Sequence, residues 1–417
     1  MTNLIRPRVI VPTGYDTIMP AGAFSTRAKR GMELVNLREL GILPGVAGGA
    51  PVHGTHQASD IITQLADGTD LNQVWADLGD LLGAVNNTRQ ALINFLTYSV
   101  GQPTELVNQP GDGVDFEDAT EHGEPTGSRV TPNYFQLGYP FKWYDLAGRY
   151  TWQYLADATQ AMVDSVANAA VEAWLRKQMV ELMKAVFSST NSVASIRGNN
   201  YTVYRFYNAD GTVPPAYKTN TFTGSHTHYV QSGAATVDQG DLNEIIDDFA
   251  AHGYTQVLGY RIVIMVNKTE GDVIRGFRAT PVGTARYDFL PATNQPGVIM
   301  TLNQQVIGQN PPTGVMNGMN VIGSYGPALI VQDDWMPAGY LFGFATGGEN
   351  NLLNPIGMRE HANAALRGMR LVKGRNADYP LIDSFWATGF GFGTRQRGAG
   401  YLIKIGSSGY SPPAMYT

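Results

Sequence analysis

The chain has 417 residues, 29 Lys and Arg against 35 Asp and Glu, a net charge of −6, and no cysteine. Its length exceeds one ordinary core and predicts two or three packed units. The acidic balance argues against a protein wrapped in basic surface for nucleic acid, and the missing cysteines exclude disulfides and thiolate metal sites. No run of 18 apolar residues suits a membrane span, and the N-terminus lacks the apolar core and cleavage site of a secretion signal. Charged residues make up 15% of the chain, against about 25% in ordinary soluble domains. So little charge suits a chain that hides surface against copies of itself, a composition shared with secreted all-β enzymes.

Residues 1 to 56 are broken by Pro7, Pro12, Pro20, Pro44 and Pro51 and carry six basic against three acidic residues, which reads as an extended basic arm. Helical spacing follows over a short candidate, Ala58 to Ala66, and over Leu71 to Tyr98. From Gly101 to Ser128 there are seven acids and no Lys or Arg. Phe135, Leu137, Tyr139, Phe141 and Trp143 then alternate with other residues as a half-buried strand does, so the acidic stretch reads as one limb and the tip of a long hairpin. Pro140 favours an edge position for that strand. Leu155 to Phe187 predicts one long helix with a stripe of Met162, Val166, Ala169, Ala173, Val180, Met183 and Phe187. A strand pair is predicted around "NADG" (Tyr201 to Tyr207, then Val213 onward). "DQGDLNEIIDDFAAHGY" predicts an amphipathic helix closing at Gly253, and "RIVIMVN" a buried strand. "PALIVQDDWMPAGYLFGFATG" supplies two more strands. Arg359 to Lys404 reverses the charge balance, with eight basic residues against three acidic.

Catalytic and ligand motifs fail on detail. "GFGFGTRQRGAG" (Gly389 to Gly400) offers glycines as a phosphate loop does, but Thr394 and Gln396 stand where the dinucleotide pattern needs glycine. Ala399 and Gly400 replace the Lys and Ser/Thr of a phosphate loop. The following "YLIKI" reads as a strand, so the glycines are read as relief between packed strands. His226 and His228 point to the same side of a strand and could begin a metal site, yet spacing marks no third ligand, and two neutral, hydrogen-bonded histidines are the commoner outcome. Glycosidase carboxylates cannot be ranked among Asp247, Asp248, Asp333, Asp334 and the hairpin acids, and neither G-x-S-x-G nor H-E-x-x-H occurs. Nine aromatics between Tyr134 and Tyr154 are accompanied only by Lys142 and Arg149, so that face is expected to pack on protein rather than stack on bases. No catalytic residue, cofactor or metal is assigned.

The order of these features, arm, acidic hairpin, very long helix, α+β section and closing strand, resembles the major capsid protein of tailed bacteriophages of the Hong Kong 97 type. "FKWYDLAGRYTWQYL", "HTHYVQSGAATVDQGDL", "REHANAALRGMRLVKG" and "YPLIDSFWATGFGFGTRQRGAG" are similar to the actinobacteriophage-like members. The resemblance implies an α+β chain with an N-terminal arm (1–100), an extended loop (101–152), a peripheral domain with a spine helix (153–234), an axial domain (235–345) and a C-terminal return (346–417). It implies a non-enzymatic subunit assembling as hexamers and pentamers into an icosahedral shell around double-stranded DNA. The implied location is the virion, after assembly in the host cytoplasm, with portal and scaffolding proteins as assembly partners, a decoration protein as a further one, and no membrane. The same fold also serves encapsulin-type nanocompartments, and the composition leaves a β-rich secreted carbohydrate-active enzyme as the reading from another class.

Two departures from the family bear on assembly. Some relatives crosslink a lysine near the extended loop to a neighbour's asparagine, but no Lys lies between Gly101 and Phe141, so that link is not carried over. The chain begins at Met1, which sets the expectation that no leading scaffold segment is removed and that a separate scaffolding protein acts. The charge pattern nominates inter-subunit contacts: Asp112, Asp115, Glu117, Asp118, Glu121 and Glu124 on one subunit, and Arg367, Arg370, Arg395 and Arg397 on the next.

Overall fold

A computed structural model describes residues 64–87, 90–109, 121, 123, 133–279, 286–293, 312–316, 318–373 and 381–417. These belong to one unit, Thr63–Thr417. The basic arm and most of the Ala58 to Ala66 candidate lie outside the described residues. At its end, residues 64–66 make a turn rather than a helix, with Gln64 bridging Asp70.

The first predicted helix divides. Helix α1 (Leu71–Asn87) and helix α2 (Ala91–Leu96) keep the apolar spacing, but Thr97–Val100 is strand β1. Thr97 and Val100 are β-branched and gain a parallel ladder with residues 356–359, so tertiary pairing overrides the helical period. Strands β2 (Thr104–Gln109) and β3 (Asn133–Gly138) pair antiparallel as the base of the predicted hairpin. Its aromatic limb does not continue unbroken. Pro140 has no N–H to donate, and the chain leaves the hairpin there to restart as β4 (Lys142–Thr151) in a different sheet.

After the short helix α3 (Trp152–Asp157), Ala158 and Thr159 are extended, so the long helix α4 begins at Gln160 and ends at Phe187. Its 28 residues span about 42 Å at 1.5 Å rise each. The buried stripe is Val163, Ala167, Ala170, Val171 and Trp174, while Met162 and Val166 are 46% and 39% exposed and Ala169 and Ala173 also face solvent. Met183 and Phe187 are buried as expected. Apolar residues on both sides of the first half make the two faces indistinguishable by spacing alone.

The next hairpin also moves. Strands β5 (Ser192–Ile196) and β6 (Asn199–Val203) join through Arg197 and Gly198, at φ +51° and +84°, the left-handed pair of a tight two-residue turn. The "NADG" segment forms an irregular turn instead, with Ala209 and Gly211 at positive φ and no strand from Val213 onward.

The remainder follows the predicted α+β order. Strand β7 (Tyr229–Gln231), helix α5 (Gln239–Ala251), strand β8 (Arg261–Val266), helix α6 (Lys268–Ile274), β9 (Phe289–Pro291), β10 (Val315–Met316), β11 (Met319–Tyr325), β12 (Ala328–Gln332) and β13 (Tyr340–Thr346) come next. Strands β14 (Ile356–Arg359), β15 (Arg370–Lys373), β16 (Leu381–Thr394) and β17 (Gly400–Lys404) complete them. Helix α5 opens with a reciprocal cap between Asp238 and Asp241 and closes at Gly253, φ +84°.

Two large sheets organise the unit. One runs β1-β14-β16-β15, with β4 also paired along β16. The other runs β10-β11-β12-β8-β13-β17-β7, with β9 on β11. Strand β8 shows why its sequence is apolar throughout. Ile262, Ile264 and Val266 pack in a cluster with Leu242, Ile245 and Phe249 of α5, while Val263 and Met265 pack in the opposite cluster with Phe342, Phe344, Leu182 and Val186. Helix α4 therefore lies in the core that joins the two sheets, reaching Trp386 and Phe390 of β16 as well.

The Gly389 to Gly400 stretch is the end of β16, a turn and the start of β17. A Cβ at Gly389 would meet Phe141 and Trp143, one at Gly391 would meet the Pro140 carbonyl, and one at Gly393 would meet the Tyr139 ring. These three alternate residues let the strand pass directly against the Tyr139–Trp143 crossing.

Candidate functional site: charged segments, an exposed apolar face and a histidine cluster

Of the acidic candidates, Glu121 is exposed, and Asp112, Asp115, Glu117, Asp118 and Glu124 lie outside the described residues. The four arginines divide by environment. Arg367 is exposed, with Nε donating to the His361 carbonyl oxygen at 2.8 Å. Arg370 is half-buried, its guanidinium 5.7 Å from the centre of the Trp143 ring. Arg395 is also half-buried and donates from Nε to Glu105 Oε1 at 2.8 Å, which fastens β2 of the hairpin base to the end of β16.

Arg397 is 3% exposed. Its Nη2 donates to Asp210 Oδ2 at 2.8 Å and to Asn208 Oδ1 at 3.0 Å, its Nε donates to the Arg205 carbonyl oxygen, and its plane lies 4.7 Å from the Tyr207 ring centre. The structure thus spends Arg397 on holding the 204–210 turn, and it is not on the surface of the chain where a neighbour could reach it. Asp210 also accepts from Asn191, and with Arg397 this holds it below the usual carboxylate range even though burial opposes this.

The aromatic return strand is less enclosed than the sequence implies. Trp143 is 52% and Leu146 48% exposed. With Ala173, Trp174, Met369 and Trp386 in its lining, an apolar groove of about 250 Å³ runs between β4 and α4 beside Leu146. The exposed Met162, Val166, Ala169 and Ala173 form an apolar stripe on the N-terminal half of the same helix. Apolar surface of this kind outside the core of a single chain marks a contact face.

Sequence reading stopped at His226 and His228. The fold adds two more groups, Asp248 on the last turn of α5 and His252 at its C-cap, and all four can direct a ligand atom within 4.8 Å of one another. The Nε2 atoms of His226 and His228 are 2.9 Å apart, those of His226 and His252 3.0 Å, and those of His228 and His252 3.2 Å. Asp248 places Oδ1 3.5 Å from His226 Nε2 and Oδ2 3.3 Å from His228 Nε2. The missed signal is the Asp-x-x-x-His spacing, which puts Asp248 and His252 one turn apart on the same helix face.

Burial sets the charge of this cluster. It holds His228 well below the ordinary imidazole range and His252 down to about 3, and it pushes Asp248 up to about 8 with help from nearby Glu244. Burial thus opposes a charge on each member of the cluster, His226 included.

No family model matches the chain, and no curated protein does. A solved structure from Mycobacterium phage Patience matches it with a TM-score of 0.69 and 39% identity, covering 89% of this chain and 98% of that one. The cyanophage A-1(L) capsid asymmetric unit gives a TM-score of 0.43 at 12% identity, covering 89% of this chain and 99% of that one. The capsid of a native GTA particle gives 0.43 at 12%, covering 76% and 91%. With 39% identity to the Patience protein along nearly all of both chains, this chain belongs to the major capsid proteins of tailed bacteriophages, α+β structural subunits of the Hong Kong 97 type that build the icosahedral shell of the virion.

Proposed function

We propose that the chain assembles as hexamers and pentamers into a closed shell around a double-stranded DNA genome, and that the 101–128 hairpin reaches across to the basic C-terminal part of a neighbouring subunit. The observation that carries the proposal is the extended likeness to the Patience protein. Two features of the chain support it. Apolar side chains that a lone subunit leaves in water, among them Trp143, Leu146, Met162 and Val166, need a protein surface to cover them. The hairpin carries seven acids and no basic residue over 101–128, against eight basic and three acidic residues over 359–404. Each rim pair is worth only about 0.2–1 kcal/mol, but closed symmetry repeats the contact at every subunit.

Within this reading Arg367 remains available to a neighbour's acids, Arg370 and Arg395 are partly engaged in their own subunit, and Arg397 is left out. The five domains expected from the resemblance are part of the proposal, with one adjustment from topology: β7 and β17 join the sheet that the 235–345 segment builds. Scaffolding and portal proteins during assembly in the host cytoplasm, a decoration protein on the finished shell, and the absence of an enzymatic role belong to it as well.

Reversing Asp115, Glu117 and Asp118 to lysine tests the hairpin's role. Negative-stain microscopy is expected to find no closed shells while the subunit remains folded by circular dichroism. Shells of normal size and yield from the triple variant would overturn this contact.

A further inference from the structure

We propose that His226, His228, Asp248 and His252 form a binding site for one divalent transition-metal ion of the zinc class, which staples the 204–231 segment to helix α5. This goes beyond the shell reading and stands or falls separately from it.

The geometry is that of a ligand sphere. Around zinc, nitrogen ligands at about 2.0–2.1 Å place tetrahedral neighbours roughly 3.3 Å apart. The three Nε2 atoms are separated by 2.9, 3.0 and 3.2 Å, and the nearest carboxylate oxygens lie 3.3 and 3.5 Å from two of them. Three imidazoles and one carboxylate are the borderline donors that suit such an ion, and a site with four protein ligands is of the closed, structural kind.

The ring orientations are fixed from outside. His228 Nδ1 lies 2.7 Å from the Gly400 carbonyl oxygen, which can only accept, so Nδ1 carries the proton and the Nε2 lone pair faces the cluster. The His252 ring stacks on Phe222 at 4.1 Å and 1° and lies parallel to Tyr207 at 5.8 Å and 8°. Packing thus holds both rings with Nε2 inward.

The cluster does not satisfy itself. His228 Nε2 can accept from only one of the two Nε2 atoms beside it, and Asp248 Oδ2 is buried without a hydrogen-bond partner among the described residues. A dication would engage the three imidazole lone pairs and the carboxylate at once. Arg397, buried nearby across the Tyr207 ring, is already neutralised by Asp210, and Glu244 one turn before Asp248 adds negative charge on the ligand side. In a chain without cysteine, such a tie links an irregular segment to the core as a disulfide would.

The test uses untagged full-length protein, stripped with a chelator and titrated with cobalt(II), then zinc(II). The expected result is ligand-field absorption of a low-coordinate cobalt site saturating at one ion per chain, its displacement by zinc, and a thermal midpoint that rises on zinc addition. His226→Gln, at the most exposed ligand, is expected to weaken zinc binding by more than about tenfold with the circular dichroism spectrum preserved. Absence of the cobalt band from folded wild-type protein, or a band that survives unchanged in His226→Gln, would overturn the assignment. Should that variant fail to fold, the wild-type titration decides alone. Shell formation is scored in parallel, so loss of metal binding and loss of assembly are read independently.

Discussion

Arg395 and Glu105, 290 positions apart in the chain, meet through a 2.8 Å hydrogen bond at the base of the acidic hairpin. Glu105 uses its other oxygen to accept from the Tyr139 hydroxyl at 2.7 Å, and Tyr139 in turn shares a 2.7 Å bond with Tyr98. The hairpin is thus anchored through a half-buried network to β1 and β16. A double-mutant cycle of Arg395→Ala and Glu105→Gln is expected to give a coupling of about 1 kcal/mol in chemical denaturation. Additive effects would show that the pair does not hold the hairpin.

The alternating glycines of β16 lead to a second expectation. Any Cβ at Gly391 collides with the Pro140 carbonyl, a backbone atom that cannot swing away. Gly391→Ala is expected to destabilise the subunit by about 1–3 kcal/mol through overpacking. Gly409→Ala, with open space around the new methyl, is the matched control and is expected to change the thermal midpoint little.

Helix α4 allows fold and assembly to be separated. Met162 and Val166 face solvent while Val163 and Ala167 face the core. Met162→Asp combined with Val166→Asp is expected to leave the circular dichroism and thermal midpoint of the subunit close to wild type but to stop shell formation, as read by sedimentation. Normal shells from this variant would place the stripe outside the subunit contact.

The α5 cap should impose a pH dependence. Burial pushes the Asp241 carboxyl up to about 6, against the pull of its hydrogen bond from the Asp238 N–H. In the unfolded chain the same group ionises near 3.8. Between those values the unfolded state has lost the proton and the folded state keeps it. The stability from this group is therefore full below the unfolded value and is lost as pH rises to about 6, by about 1–3 kcal/mol. Asp241→Asn keeps an acceptor for the cap without the ionisation. Its thermal midpoint is expected to gain on wild type as pH rises through that window and to keep a constant offset from it above.

Legibility in the sequence followed how many constraints each segment carries. Strand β8 was readable because both of its faces are buried, so every position from Ile262 to Val266 had to be apolar. Helix α5 announced itself by its amphipathic run and the glycine at its end. The α4 face was not readable, since Met162 and Val163 are equally apolar and only the fold says which meets the core. The β5–β6 hairpin turned at Arg197 and Gly198 because the arginine accepts a left-handed backbone, a choice propensity gives no reason to expect. At the candidate sites, spacing revealed His226 and His228 but not Asp248 and His252, whose approach depends on α5 packing beside the 204–231 segment. Likewise, charge alone could not separate the surface Arg367 from the buried Arg397.

The central claim is that this 45.2 kDa chain completes the burial of its apolar surface against copies of itself. Sedimentation velocity on the wild-type protein, produced together with its assembly factors, tests it most directly. The expected result is megadalton particles that electron cryomicroscopy resolves as closed shells with this chain as the repeating unit. A stable, monodisperse monomer that never enters such particles would contradict it.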